Sequence, residues 1–205
     1  RGSTNNVLNR YYSAAAYYKV KNIVRVCSDS PLIDPQIINK VYFFYLKNNY
    51  DYVSNKIFPS YPVGMGVEIF NFQSLKKVNK LAKSSYEKEH VTPFIQKNPL
   101  QFKIGSFRQL KDYSDYRWTL DEPEDLELIT QIFESLYPSK PNFTTEDIFQ
   151  LLEKREKNLK VRMGKFDNLL LTRYKCSKFT RLLISSGKDS IKLCSTVSLF
   201  KLVTL

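Results

Sequence analysis

Cysteine is scarce in this chain, and its three thiols, Cys27, Cys176 and Cys194, are too scattered for a disulfide framework. None belongs to a C-x-x-C pair that could hold zinc. That usage makes the cytosol, and hence a cytoplasmic protein, the expected compartment. Histidine is scarcer still. His90 stands alone, with no G-x-S-x-G elbow and no thiol partner in its neighbourhood, so neither Ser-His-Asp nor Cys-His catalysis has its members. No run of about 18 apolar residues is present, which argues against a membrane-spanning helix. No basic stretch followed by a short apolar core opens the chain, so no secretory leader is expected. Internal repeats and low-complexity segments are also missing, which removes solenoid and disordered architectures.

What is abundant is positive charge: 32 Lys and Arg against 20 Asp and Glu, a formal net charge of +12. Its distribution decides its meaning. Residues 161–205 hold nine cations, from Arg162 to Lys201, against Asp167 and Asp189. The moderate remainder suits a domain that handles phosphate-bearing small molecules. Hydrophobic periodicity is regular up to about Lys157 and is lost beyond it. The expected organisation is therefore one domain over residues 1–157 and a basic tail of unassigned fold over 158–205. The chain starts at Arg1 rather than Met and reads directly into a helix pattern, so it is expected to be incomplete at its N-terminus.

Along the domain, strand and helix signals alternate. Val7, Leu8, Tyr11, Ala15 and Tyr18 recur at helical spacing behind Asn6, an acceptor able to cap them. Asn22 to Ser28 is a β-branched run that stops at Asp29-Ser30-Pro31. Asp34-Pro35 opens a helix carrying Ile37, Ile38, Val41, Phe44 and Tyr45 and ending near Asn48-Asn49. Short strands are predicted at Tyr52–Ser54 and Val67–Phe70, joined by the loop Pro59–Gly66. Helices follow over Phe72–Leu81 and Glu87–Gln96, then extended segments at Phe102–Ile104 and Arg117–Leu120. Further helices begin at Pro123 and, behind a hydroxyl cap, at Thr144. Such alternation predicts an α/β fold with a mainly parallel sheet covered on both faces.

Ligands of such sheets bind in the crevice outside the carboxyl ends of the strands. Asp29 and Asp121 are both predicted at such ends, and two carboxylates with substrate phosphates and water are what magnesium prefers. Asp before Ser-Pro or Glu-Pro is equally an ordinary turn or helix cap. His90 either hydrogen-bonds a substrate or is a satisfied structural residue. The aromatic residues Tyr11, Tyr18, Phe44 and Tyr45 fall on helix faces that need apolar cover, which favours core packing over base stacking.

Six segments occur in a telling order: RGSTNNVLNRYY from Arg1, VRVCSDSPLIDPQII from Val24, DYVSN from Asp51, YPVGMGVEIF from Tyr61, EKEHVTPFIQKNP from Glu87 and RWTLDEPEDLELI from Arg117. In these the chain resembles the cytidylyltransferase family of spore-coat polysaccharide biosynthesis proteins, relatives of the enzymes that make CMP-activated acidic sugars. The resemblance implies a three-layer Rossmann-like nucleotide-diphospho-sugar transferase fold with a mainly parallel mixed sheet, lacking its first strand and phosphate loop. It also implies a Mg2+-dependent reaction in which a sugar oxygen attacks the α-phosphorus of CTP and pyrophosphate leaves. Asp29 and Asp121 match the metal-binding, catalytic carboxylates, and Gly2 and Ser3 a segment approaching the nucleotide. Arg10, Glu68, Glu89 and His90 match polar positions on the sugar side. Arg25 is read as structural. The implied partners are CTP and a sugar, with no membrane and no nucleic acid, and a homodimer is one option for assembly.

The departures are specific. Family members open with a strand and a loop of the form R-x-G-S-x-R-L-P-x-K, whose cations and backbone amides hold the triphosphate, and nothing in this sequence supplies it. The family pattern favours aspartate where this chain has Asn6, Asn9, Val63 and Gly66, glycine at Ser28 and arginine at Lys88. The leading expectation is a cytidylyl-transferring domain that is inactive as this fragment. The second is a non-catalytic homologue acting as a binding or assembly partner. A glycosyltransferase ranks below both, because Asp29 is followed by Ser30-Pro31 rather than completing D-x-D. A nucleic-acid binder rests on the tail alone and requires steeply salt-dependent affinity.

Overall fold

The computed structural model describes residues 2–162, so most of the basic tail, with Cys176 and Cys194, lies outside the described residues. In chain order the elements are α1 (Val7–Tyr17), β1 (Asn22–Arg25), α2 (Pro35–Asn48), β2 (Tyr52–Ser54), β3 (Glu68–Asn71), α3 (Phe72–Leu81), α4 (Ser85–His90), α5 (Pro93–Lys97), β4 (Ile104–Ser106), α6 (Pro123–Leu136) and α7 (Thr145–Arg162).

Local chemistry explains most of the helix starts. Asn6 accepts the Asn9 amide at 3.0 Å to cap α1. Asp34 accepts the Gln36 amide at 2.8 Å ahead of Pro35, whose fixed φ suits the first helical position. The other oxygen of Asp34 accepts both the amide and the hydroxyl of Thr145, each at 2.9 Å. One buried carboxylate therefore joins the start of α2 to the start of α7, 111 residues later. Helix α2 ends at Asn49, in the left-handed conformation that Asn tolerates.

The strands form a mixed sheet in the order β1-β3-β2-β4. Strands β1, β2 and β4 run one way, and β3 runs against them. Alternation along each strand sends Val24, Ile69 and Val53 to one face and Ile23, Phe70 and Tyr52 to the other. The first face packs with Ile38 and Val41 of α2, Ile132 of α6 and Ile148 of α7 around the buried Trp118. The second packs with Leu8 of α1, Leu75 and Val78 of α3 and Ile95 of α5. Each such side chain, fully buried, contributes about 1.5–3 kcal/mol of hydrophobic free energy. Helices on both faces of the sheet give the three layers expected from the sequence.

Four segments differ from the sequence reading by more than one residue. Strand β1 stops at Arg25, three residues early, because its partner β3 begins at Glu68 and offers no ladder beyond that pair. The strand expected at Phe102–Ile104 starts instead at Ile104. Asp51 takes the Lys103 amide on its carboxylate, at 2.9 Å, and the Lys103 carbonyl on its own amide, so regular pairing begins one residue later. Residues 117–120 are extended but outside the sheet, joined to Val63 by an isolated parallel bridge at Arg117. The helix expected over Glu87–Gln96 is two short helices. Pro93 has no amide to donate and its ring would strike the preceding turn. The chain pinches at Val91, with φ +71° and ψ −55°, closed by the Thr92 amide on the His90 carbonyl at 2.8 Å. This is a positive-φ γ-turn, rare for any residue and costly for a β-branched one.

Candidate active site

The carboxyl ends of β1, β2 and β4 share one sheet edge with the start of β3, so Arg25, Glu68, Ser54 and Ser106 form a row across it, side by side on one face. This face is otherwise apolar. A charge in that setting requires a partner.

Glu68, 2% exposed, finds several. Its Oε2 accepts from the Arg25 guanidinium in a buried salt bridge. Its Oε1 accepts the Tyr52 hydroxyl at 2.7 Å and the Thr92 hydroxyl at 2.6 Å, and Gln96 donates in turn to Tyr52 at 2.8 Å. Burial alone would raise the carboxyl pKa. The charges of Lys56 and Arg25 and the two hydroxyl donors outweigh it and bring it down to about 2. Burial, followed by the charge of Glu68, raises the Tyr52 phenol, which stays protonated as a donor. The γ-turn at Val91 is what aims Thr92 at Glu68 while leaving His90 at the end of α4.

Asp29 and Asp121 come from different loops that the backbone ties together: the Leu120 amide donates to the Asp29 carbonyl at 2.8 Å. Asp29 lies in the turn after β1, four residues past Arg25, where Ser30 donates to its Oδ1 at 3.1 Å. Burial raises the Asp29 pKa, the Ser30 hydrogen bond opposes this, and the facing charge of Asp121 adds to the rise. Asp121 is placed by Arg117, which reaches its Oδ2 at 3.0 Å and grips both oxygens of Asp125 at 2.8 and 2.7 Å. Asp125 Oδ2 also accepts the amides of Asp121 and Glu122, each at 2.9 Å, fixing the loop as α6 begins. The isolated bridge holds this segment against the Pro59–Gly66 loop. There Gly64 has φ +100°, and a Cβ on it would stand 2.7 Å from the Trp118 backbone, so only glycine fits.

The remaining expected residues distribute around this core. Gly2 and Ser3 are exposed ahead of α1, and a Cβ on Gly2 would stand 2.9 Å from Cγ of Arg10. The Arg10 Nε is buried and without a partner among the described residues. Glu89 and His90 end α4, where the His90 ring lies 4.4 Å from that of Tyr86. The structure thus brings Asp29 to Asp121 and Gly2 to Arg10. It withdraws Glu68 from solvent into a network of its own.

Some contributions escaped the sequence reading. Arg25 was expected as structural and Glu68 on the sugar side, but not as partners, though they carried a legible signal, since opposite charges inside two otherwise apolar strands imply a buried pair. Asn55 carried none. It is 2% exposed and extends the ladder past β2 by accepting the Val67 amide and donating to the Met65 carbonyl, both at 2.8 Å. Tyr11, assigned to the core, packs edge-on to Phe70 and also lies within the field of Arg25 and Glu68.

Comparison with known proteins gives three concordant likenesses. The family described as Cytidylyltransferase matches residues 1–159. An uncharacterized protein of Methanocaldococcus jannaschii is 34% identical over 165 residues, 79% of this chain and 64% of the relative. The spore coat polysaccharide biosynthesis protein SpsF of Bacillus subtilis is 25% identical over 159 residues, 75% of this chain and 64% of that protein. The chain therefore spans just under two-thirds of the length of these relatives. Among solved structures, a cytidylyltransferase from Leptospira borgpetersenii superposes with a TM-score of 0.72 at 30% identity, covering 77% of this chain and 66% of the other.

Proposed function

Because the chain belongs to the cytidylyltransferase family, we propose that it is the part of a CTP:sugar cytidylyltransferase that carries the metal carboxylates and the sugar side of the crevice. Residues 1–157 form the transferase domain and 158–205 a basic appendage. The reaction joins a sugar oxygen to the α-phosphorus of CTP and breaks the bond to pyrophosphate, for surface or spore-coat polysaccharide synthesis in the cytoplasm. The observation that carries this reading is the hydrogen bond from the Leu120 amide to the Asp29 carbonyl, which ties the loops of two mutually repelling carboxylates together at the ligand-binding edge of the sheet.

That pair fits magnesium. Both groups are hard oxygen donors, and a cation would relieve the repulsion that helps raise the Asp29 pKa. Among the described residues no three His, Cys, Asp or Glu form a ligand set, so substrate phosphates and water would have to supply the rest of the coordination. Bound there, magnesium would neutralise charge on the departing pyrophosphate. The chain's own residues do the positioning. Arg117 and Asp125 hold Asp121, and Arg25, Tyr52 and Thr92 hold Glu68, which orders the wall on which Glu89, His90 and Arg10 meet the sugar. Gly2 and Ser3 approach the nucleotide.

No R-x-G-S-x-R-L-P-x-K segment is present in these 205 residues, so turnover is expected to need such a loop and to be absent from this chain alone. Calorimetry of the protein with CTP and Mg2+ tests the reading: micromolar binding that Asp29→Asn removes supports it, and no nucleotide binding by a protein that includes the loop sinks it. The substituted positions Val63 and Gly66 favour a second reading, a non-catalytic homologue. That reading predicts sugar or protein binding with no dependence on Mg2+.

A further inference from the structure

We propose that α7 sets the spacing of Asp29 and Asp121, and that Thr145 and Phe149, in its first two turns, are positioning residues for that pair. The proposal rests on the reading above that the two carboxylates share a metal ion.

Each positioning residue holds one of the two loops that carry these carboxylates. On the Asp29 side the loop is short and closed on itself. Ser30 donates to Asp29 Oδ1 at 3.1 Å, and the Ile33 amide donates to the Ser30 carbonyl at 3.2 Å. The next residue, Asp34, is buried and accepts the amide and the hydroxyl of Thr145, each at 2.9 Å, while its other oxygen caps α2. The far end of this loop is therefore fixed to the start of α7.

On the Asp121 side, Phe149 is 5% exposed and stands among three rings of the segment that leads to the aspartate. Its ring centroid lies 3.9 Å from that of Tyr113 in a stacked pair, 5.3 Å from Tyr116 and 5.0 Å from Trp118. The Trp118 amide and the Tyr116 carbonyl are both bonded to Val63, so this cluster fixes backbone as well as side chains. Asp121 follows three residues later.

Thr145 and Phe149 are four residues apart and so lie on one face of the helix. One rigid surface thus holds both loops, and the hydrogen bond from Leu120 to Asp29 closes the third side of the triangle. Like charges kept close need such a brace, because their repulsion drives the loops apart whenever no cation lies between them.

Two measurements on the full chain test this, at a temperature at which every variant is folded by circular dichroism. Electron paramagnetic resonance titration of Mn2+, alone and with CTP, reads the carboxylate pair, and Asp29→Asn locates the bound ion. Amide hydrogen exchange reads the brace. Phe149→Leu keeps the cluster apolar but removes the stacked ring. It is expected to weaken Mn2+ about tenfold, the scale on which partners behind metal ligands act. It should also speed exchange of the Leu120 amide by more than that of Val78, which belongs to the second core. Thr145→Val loses only the hydroxyl bond to Asp34 and weakens Mn2+ by a smaller factor, which Thr145→Ser restores. One Mn2+ affinity shared by wild type, Phe149→Leu and Thr145→Val overturns the proposal and leaves the metal reading standing, as does a Leu120 gain no larger than that of Val78. Mn2+ binding that Asp29→Asn leaves intact, or a wild type that binds none with or without CTP, sinks the metal reading and the positioning role with it.

Discussion

Two groups of charges share one edge of this sheet and are handled in opposite ways. Around Glu68 every charge is answered: a guanidinium and two hydroxyls meet the carboxylate, and its pKa falls despite complete burial. Around Asp29 burial raises the pKa, and the facing aspartate raises it further. The first arrangement is complete within the protein and stabilises a shape. The second is left unanswered by the protein's own groups, which is what the proposed cation would complete. Clefts where carboxylates repel are therefore better pointers to ligand chemistry than clefts where they are matched.

Breaking the matched side should have the largest effect. Arg25→Ala leaves Glu68 charged, buried and unpaired, so chemical denaturation should show a loss of about 3–5 kcal/mol. A double replacement by apolar residues of similar volume should recover much of it. Acid probes the same group without mutation. The Glu68 pKa is lowered from 4.5 to about 2, so its stabilisation is complete above about pH 4.5 and is lost as pH falls toward 2. The corresponding loss is about 3 kcal/mol, and a stability profile flat across that window would break the comparison.

Thr92→Val removes one of three donors to Glu68 and keeps the β-branched shape at the γ-turn. The expected cost is about 1 kcal/mol, read by denaturation, with Thr92→Ser restoring most of it. The smallest effect on stability, of opposite sign, belongs to the unmatched side. Because the fold favours neutral Asp29, Asp29→Asn should leave the melting temperature at pH 7 unchanged or slightly raised while removing Mg2+-dependent CTP binding. A clear loss of stability would move Asp29 into the same structural class as Glu68.

Much of this was legible before the fold was known, and the exceptions have a common cause. Asn6, Asp34-Pro35 and Asn71 start helices through contacts within three residues of themselves, so α1, α2 and α3 could be placed from sequence. The break at Val91 was signalled by Pro93, but the apolar period ran through it and prevailed in the reading. The early end of β1 was not signalled at all, because it depends on where β3 begins, more than 40 residues away. Likewise Asp34 reads correctly as a cap for α2, while its second hold on Thr145 is invisible to any local pattern.

The sequence by itself determined the alternation of strands and helices, the apolar faces that become two cores and the family words carrying Asp29 and Asp121. These follow from periodicity and from chemistry confined to neighbouring residues. Only the tertiary structure decided that Arg25 and Glu68 neutralise each other and that Leu120 ties the two aspartate loops together. Each of these depends on the distance between segments far apart in the chain, which the register of the sheet sets and no local preference encodes.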